Sequence, residues 1–172
     1  MKAYLEQQYD YHVWANEKVF DRLKELPEEV YTREVQSVFS TIHKAMEHIY
    51  VIDSGWLDLM ASGGVSEMTP AYIERLQASV KRLTDATAGK NAAQMQELFR
   101  ELAERFRPCL DGLHNLEGLC AYGAFEARYA DLIQHVVNHG TYHRGNIAAM
   151  LRQMGHSGTQ TDYSLYLYTM KR

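Results

Sequence analysis

The feature that most constrains this chain is the stretch from Tyr129 to Met154, which has no proline and is closed by Gly155. Leu132, His135/Val136, His139, His143, Ile147, Met150 and Met154 recur along it at helical spacing and form one stripe. Gly155 then stands where a left-handed residue would terminate the helix. A long helix with a single apolar stripe must bury that stripe against other elements. The rest of the chain supplies them in kind. A first helix is expected from about Ala3 to Glu25, with Leu5, Tyr9, His12/Val13, Asn16 and Phe20 in phase, stopped by Pro27. A short helical turn can follow at Pro27-Glu28-Glu29.

The second main helix is expected from Ser40, a good N-cap, to about Ala61 before Gly63-Gly64, with Ala45, His48, Ile49, Ile52, Trp56 and Leu59 inward. Between Ser66 and Ala88 the pattern is weaker. Ile73, Leu76, Val80 and Leu83 suggest a helix or helical turn after Pro70, ended by Gly89. The third main helix spans about Asn91 to Leu113 with Met95, Leu98, Leu102 and Phe106 inward, and Pro108 is expected to bend its last turn. Leu119 to Arg128 lacks a helical period and reads as an extended connector or small hairpin around Tyr122-Gly123-Ala124-Phe125. Thr161-Asp162-Tyr163 can cap a last turn ending at Tyr168. Long helices and no persuasive strands make the expected architecture an all-α four-helix bundle.

The length of 172 residues suits one domain, taken here as residues 1–172, with 46% apolar or aromatic residues to fill its core. The net charge of -4 and the scattered basic residues speak against nucleic acid as a partner. No apolar segment suggests a membrane. The start Met1-Lys2-Ala3-Tyr4-Leu5-Glu6 lacks the layout of a signal peptide, so a cytoplasmic location is expected. Cys109 and Cys120 are the only two cysteines, which excludes a Cys-based zinc site and reads as ordinary small apolar residues.

The histidines carry the chemistry. His139 and His143 lie four apart, one helical turn from each other on one face, where they can present two imidazoles to one point. The flanking Leu132, Val136, Ile147 and Met150 put that face inside, where uncompensated imidazoles cost free energy. His48 interrupts the apolar stripe of a different helix and offers a third nitrogen. Two readings stand on the residues alone: a divalent-metal site with open coordination positions, zinc or nickel in type, or a satisfied polar core. His135 continues the ladder, but eight residues of helix span about 12 Å, so His135 and His143 do not both reach one ion easily. A supporting or core place is expected for His135. His43 should point elsewhere, and His12, His114 and His156 read as ordinary core or surface residues.

Tyr11-His12-Val13-Trp14-Ala15-Asn16, Met46-Glu47-His48-Ile49 with Asp53 and Trp56, and above all Asn138-His139-Gly140-Thr141-Tyr142-His143-Arg144-Gly145-Asn146-Ile147 resemble the DinB-like superfamily. That superfamily includes the YfiT-like proteins assigned as metal-dependent hydrolases. The resemblance covers nearly the whole chain, Thr161-Asp162-Tyr163 included. It implies an up-down-down-up four-helix bundle, a metal held by His48, His139 and His143, and a homodimer. It also implies a small-molecule substrate, since the family contains transferases that use low-molecular-weight thiols beside the hydrolases. Catalytic residues and the native metal are not legible. No carboxylate sits inside the His-x-x-x-His turn to act as a general base, which favours activation of a thiol over water. The alternative is a metal-binding stress protein without turnover. Each ligand's second ring nitrogen is expected to meet an oxygen acceptor. Arg144 should face away from the metal into a salt bridge or helix-end contact, Gly145 should permit close helix packing, and Trp14 and Trp56 should be core aromatics.

Overall fold

The computed structural model describes residues 1–171. Its elements are α1 (Lys2–Lys24), α2 (Glu29–Thr32), α3 (Ile42–Ala61), α4 (Pro70–Thr87), α5 (Ala92–Gly112), β1 (Leu119–Tyr122), β2 (Phe125–Arg128), α6 (Tyr129–Gln153) and α7 (Tyr163–Met170). α3 starts one residue later than Ser40 suggests. Thr41 is the extended residue, and its hydroxyl accepts from the Lys44 N–H at 3.1 Å, whereas the Ser40 carbonyl accepts from the Val35 N–H at 2.9 Å. Asn91 and Gln94 bond reciprocally at the start of α5, satisfying two N–H groups at once. α5 runs through Pro108 to Gly112. α6 closes as expected: Gly155 has φ 83°, the His156 N–H donates to the Leu151 carbonyl at 2.9 Å, and the Gly155 N–H donates to the Arg152 carbonyl at 3.0 Å. Asp162 sits at the N-cap of α7, though its side chain makes no cap bond there.

Pairs of touching residues fix the directions of the long helices. Arg100 to Glu17 (2.8 Å) and Arg107 to Asp10 (2.6 Å) run α5 antiparallel to α1. Tyr50 against Phe99 and Arg105 to Asp58 (2.9 Å) run α3 parallel to α5. His48 lies against His143 and Trp56 against His135, so α6 is antiparallel to α3 and parallel to α1. The order α1 up, α3 down, α5 down, α6 up is the bundle the resemblance implies. Its centre is filled from all four by Phe20, Met46, Ile49, Met95, Phe106, Ile133, Ile147 and Met150, all nearly inaccessible to solvent.

α4 is a full helix but lies outside that core, on α3. Of its expected stripe Leu83 alone is buried, while Ile73 and Val80 stay over 40% exposed (43% and 42%). The four longer helices already close on one another, leaving α4 only the outer side of α3. The same placement turns Ile52 and Trp56 to a half-buried side of α3, and Asp53, Leu57 and Met60 take the interior positions instead. In α5, Phe99 rather than Leu98 is the buried residue. β1 and β2 form an antiparallel hairpin, Tyr122 opposite Phe125, turned at Gly123 with φ 62°. Among the described residues no helix is long and apolar enough to cross a membrane.

Candidate metal centre

The antiparallel pairing of α3 with α6 sets His48 against the one-turn pair His139 and His143. Nε2 of His48 and Nε2 of His139 lie 3.1 Å apart. Ring centroids are 4.6 Å apart for His48 and His143 and 4.5 Å for His139 and His143. One nitrogen from each ring falls within 4.8 Å of the other two. Nitrogens bound at about 2.0–2.1 Å to one ion stand about 2.8–3.4 Å apart at angles near 90–110°, so the His48 and His139 atoms already have a ligand pair's spacing. Burial, and then the neighbouring His139 and His48 rings, push the His143 imidazole down to about 4. Burial and His139 lower His48 likewise. Neutral rings are what a cation binds. Among the described residues these three histidines are the one cluster of His, Cys, Asp or Glu with ligand spacing.

Behind the cluster lies a buried polar network that joins three helices. Asp53 Oδ2 is 2.9 Å from Nε2 of His12, and the same His12 nitrogen is 3.0 Å from the Asn16 amide. Arg144 donates to Asn16 Oδ1 at 2.8 Å and to the Thr141 hydroxyl at 2.9 Å, with its guanidinium 5.6 Å from the centre of the Tyr11 ring. His12, Asp53 and Arg144 are each under 4% exposed. The Asp53 carboxyl sits below the usual carboxylate range: burial alone would raise it, and His12 and His139 more than offset that. Burial in turn lowers His12, against the pull of Asp53. Arg144 does face away from the three histidines, but its partners are an amide, a hydroxyl and the His12 ring and not the carboxylate of a salt bridge. The glycine that permits close packing is Gly140: a Cβ there would overlap the His12 ring and lie 2.7 Å from an Arg144 guanidinium nitrogen. At Gly145 a Cβ would meet nothing within 4 Å among the described residues, so the packing role expected of Gly145 falls to Gly140 instead.

His135 is neither core nor part of that network. It is exposed at the rim, its ring 6.0 Å from that of His139 and 5.1 Å from that of Trp56. Trp56 is half-buried and lines an apolar trough between α3 and α4, and Trp14 is half-buried against Tyr11 and Tyr166, so neither is a core aromatic. Phe39 stands 5.1 Å from His48 and 5.2 Å from His143, and Tyr142 stands 5.0 Å from His143. These aromatic walls were missed, since Phe39 lies in the irregular segment before α3, where no period marks it. His43 points elsewhere as expected, toward Tyr31 and Glu47. His114 is exposed and His156 partly so, and Cys109 and Cys120 are free thiols.

The sequence profile of the DinB family matches residues 1–172. The chain is 40% identical over 168 residues to the protein DinB of Bacillus subtilis, spanning 95% of this chain and 93% of that one. Its fold resembles the crystal structure of a DinB-like protein from Bacillus cereus, with a TM-score of 0.66 at 16% identity over 91% of this chain and 94% of the other.

Proposed function

The chain belongs to the DinB family, and from that premise we propose that His48, His139 and His143 hold one divalent transition-metal ion, zinc or nickel in type, in a metal-dependent enzyme. The observation that carries this reading is the convergence of three ring nitrogens within 4.8 Å from two helices packed in the core of the bundle. Three neutral imidazoles fit such an ion and leave coordination positions open. When bound, the ion would lower the pKa of a thiol or a water at an open position and so supply a nucleophile at neutral pH.

The protein's part is to orient and to exclude water. His48 and His139 keep partial access to solvent, and this is the side from which a small molecule enters. Phe39 and Tyr142 wall the opening with aromatic surface. Asp53 lies on the far edge of the His139 ring, under 3% exposed, and so is not placed as a base for an incoming water. A low-molecular-weight thiol needs less help in losing its proton than water does, and it is the preferred cosubstrate on that ground. The homodimer implied by the family belongs to the same proposal, with light scattering as its check.

The test is to load the purified protein with zinc, nickel or cobalt, desalt it, and measure metal per chain. The loaded protein is then incubated with a panel of low-molecular-weight thiols and a general electrophile. One ion per chain and metal-dependent thiol consumption are expected. One ion without turnover would support the non-catalytic alternative, and no retained ion would refute the site.

A further inference from the structure

We infer that Asp53 is the positioning residue of this centre, its free carboxylate oxygen being the acceptor for the Nδ1–H of His139 when Nε2 of that ring holds the ion. The inference rests on the three-histidine site proposed above. Nε2 of His139 is the atom that faces His48, at 3.1 Å. A neutral imidazole that gives Nε2 to a metal carries its proton on Nδ1. That Nδ1 lies 3.7 Å from Asp53 Oδ1. Both atoms are buried, and among the described residues neither has another hydrogen-bond partner. A donor and an acceptor thus face each other across a gap about 0.8 Å longer than a normal N–H···O bond.

The two sides of that gap are not equally free to move. The other oxygen of Asp53 is anchored to His12 at 2.9 Å, and His12 in turn meets Asn16 at 3.0 Å and Arg144 at 3.4 Å. Gly140 leaves His12 the space it occupies. The carboxylate is therefore held by α1 and α6 together, and the His139 ring turns toward it. Asp53 is well suited to the task by its two oxygens: one is fixed by the core and the other is left over for the ligand. His143 differs, because its Nδ1 lies 3.3 Å from the side-chain amide nitrogen of Asn146 on its own helix, and turning that amide over presents its oxygen to an Nδ1–H. His139 is then the ligand whose orientation depends on another helix.

The test compares Asp53→Ala and Asp53→Asn with the unaltered protein, using zinc in competition with a chromophoric chelator. Asp53→Ala should bind zinc 10–100-fold more weakly. Asp53→Asn keeps a carbonyl oxygen for His139 but turns an amide donor toward His12 Nε2, which must then move its proton to the Nδ1 beside Arg144, so it should recover only part of the loss. A second measurement does not depend on the variants folding. In the unaltered protein, zinc should make the His139 Nδ1–H resonance downfield-shifted and slow to exchange in imidazole NMR. Wild-type zinc affinity in Asp53→Ala, or a fast-exchanging His139 Nδ1–H in the zinc-loaded native protein, overturns the inference while leaving the three-histidine site intact. Failure of the native protein to bind zinc at all defeats the site itself.

Discussion

Gly140 and Gly145 lie on one helix, and replacing each by alanine should move stability in opposite directions. In the interior of a helix, Gly→Ala is favourable by about 1 kcal/mol from backbone entropy alone. At Gly145 nothing opposes that gain, because a Cβ would reach no atom within 4 Å. At Gly140 the new carbon would lie 2.5 Å from Nδ1 of His12 and 2.7 Å from the Arg144 guanidinium. Carbon needs about 3.5 Å, so the His12 ring must withdraw by about 1 Å. It cannot do so freely, because its other edge is bonded to Asp53 at 2.9 Å. Overpacking of this kind costs about 1–3 kcal/mol, and breaking a buried hydrogen bond costs about 1–3 kcal/mol more. After the propensity gain, Gly140→Ala should be net destabilising by about 1–5 kcal/mol, and Gly145→Ala stabilising by about 1 kcal/mol. Urea unfolding of the metal-free protein, with both variants in the same buffer, reads the difference. If Gly140→Ala is as stable as Gly145→Ala, then α1 and α6 part at no cost and the packing argument fails.

Metal content after identical loading and desalting should vanish in His48→Ala, His139→Ala and His143→Ala and persist in His135→Ala; retention in His143→Ala with loss in His135→Ala would refute the assignment. Because the folded protein holds His143 down to about 4 and His48 below its usual value, protons should displace the ion only well below pH 6.5, as metal retention against pH will record. The lowered values also mean that the unfolded chain takes up these protons first. The metal-free protein should therefore keep this contribution to stability above pH 6.5 and lose it as pH falls toward 4. On the side of α3 turned away from the three histidines, Thr87 donates to the carboxylate of buried Glu47, the residue before His48, at 2.6 Å. Thr87→Val should cost about 1–3 kcal/mol in denaturation without changing metal content.

What could be read from the sequence was whatever a single helix displays by itself. His48 was legible because a polar residue interrupts an apolar run, and His139 with His143 because four residues return a side chain to the same face. α4 was less so: its stripe has a helical period, but a period does not say whether a partner remains to cover it. The supporting network was harder still, because each of its contacts joins different helices: His12 meets Asp53 from α1 to α3, and Arg144 meets Asn16 from α6 to α1. The helical period does place Gly140, four residues after Val136 and seven before Ile147, on the buried side and Gly145 opposite it, but it does not name the neighbour; the parallel register of α1 and α6 is what brings His12 against Gly140. Asp53 shows the limit most clearly. It follows His48 by five residues, so it leaves α3 about 140° around the helix from it. A same-face rule would separate the two. Yet an imidazole carries its nitrogens on different edges, and His139 reaches His48 with one and faces Asp53 with the other. A ligand's metal partner and its orienting partner therefore come from different faces of the neighbouring helix, and a search for residues that share a face with the ligands passes over the orienting one.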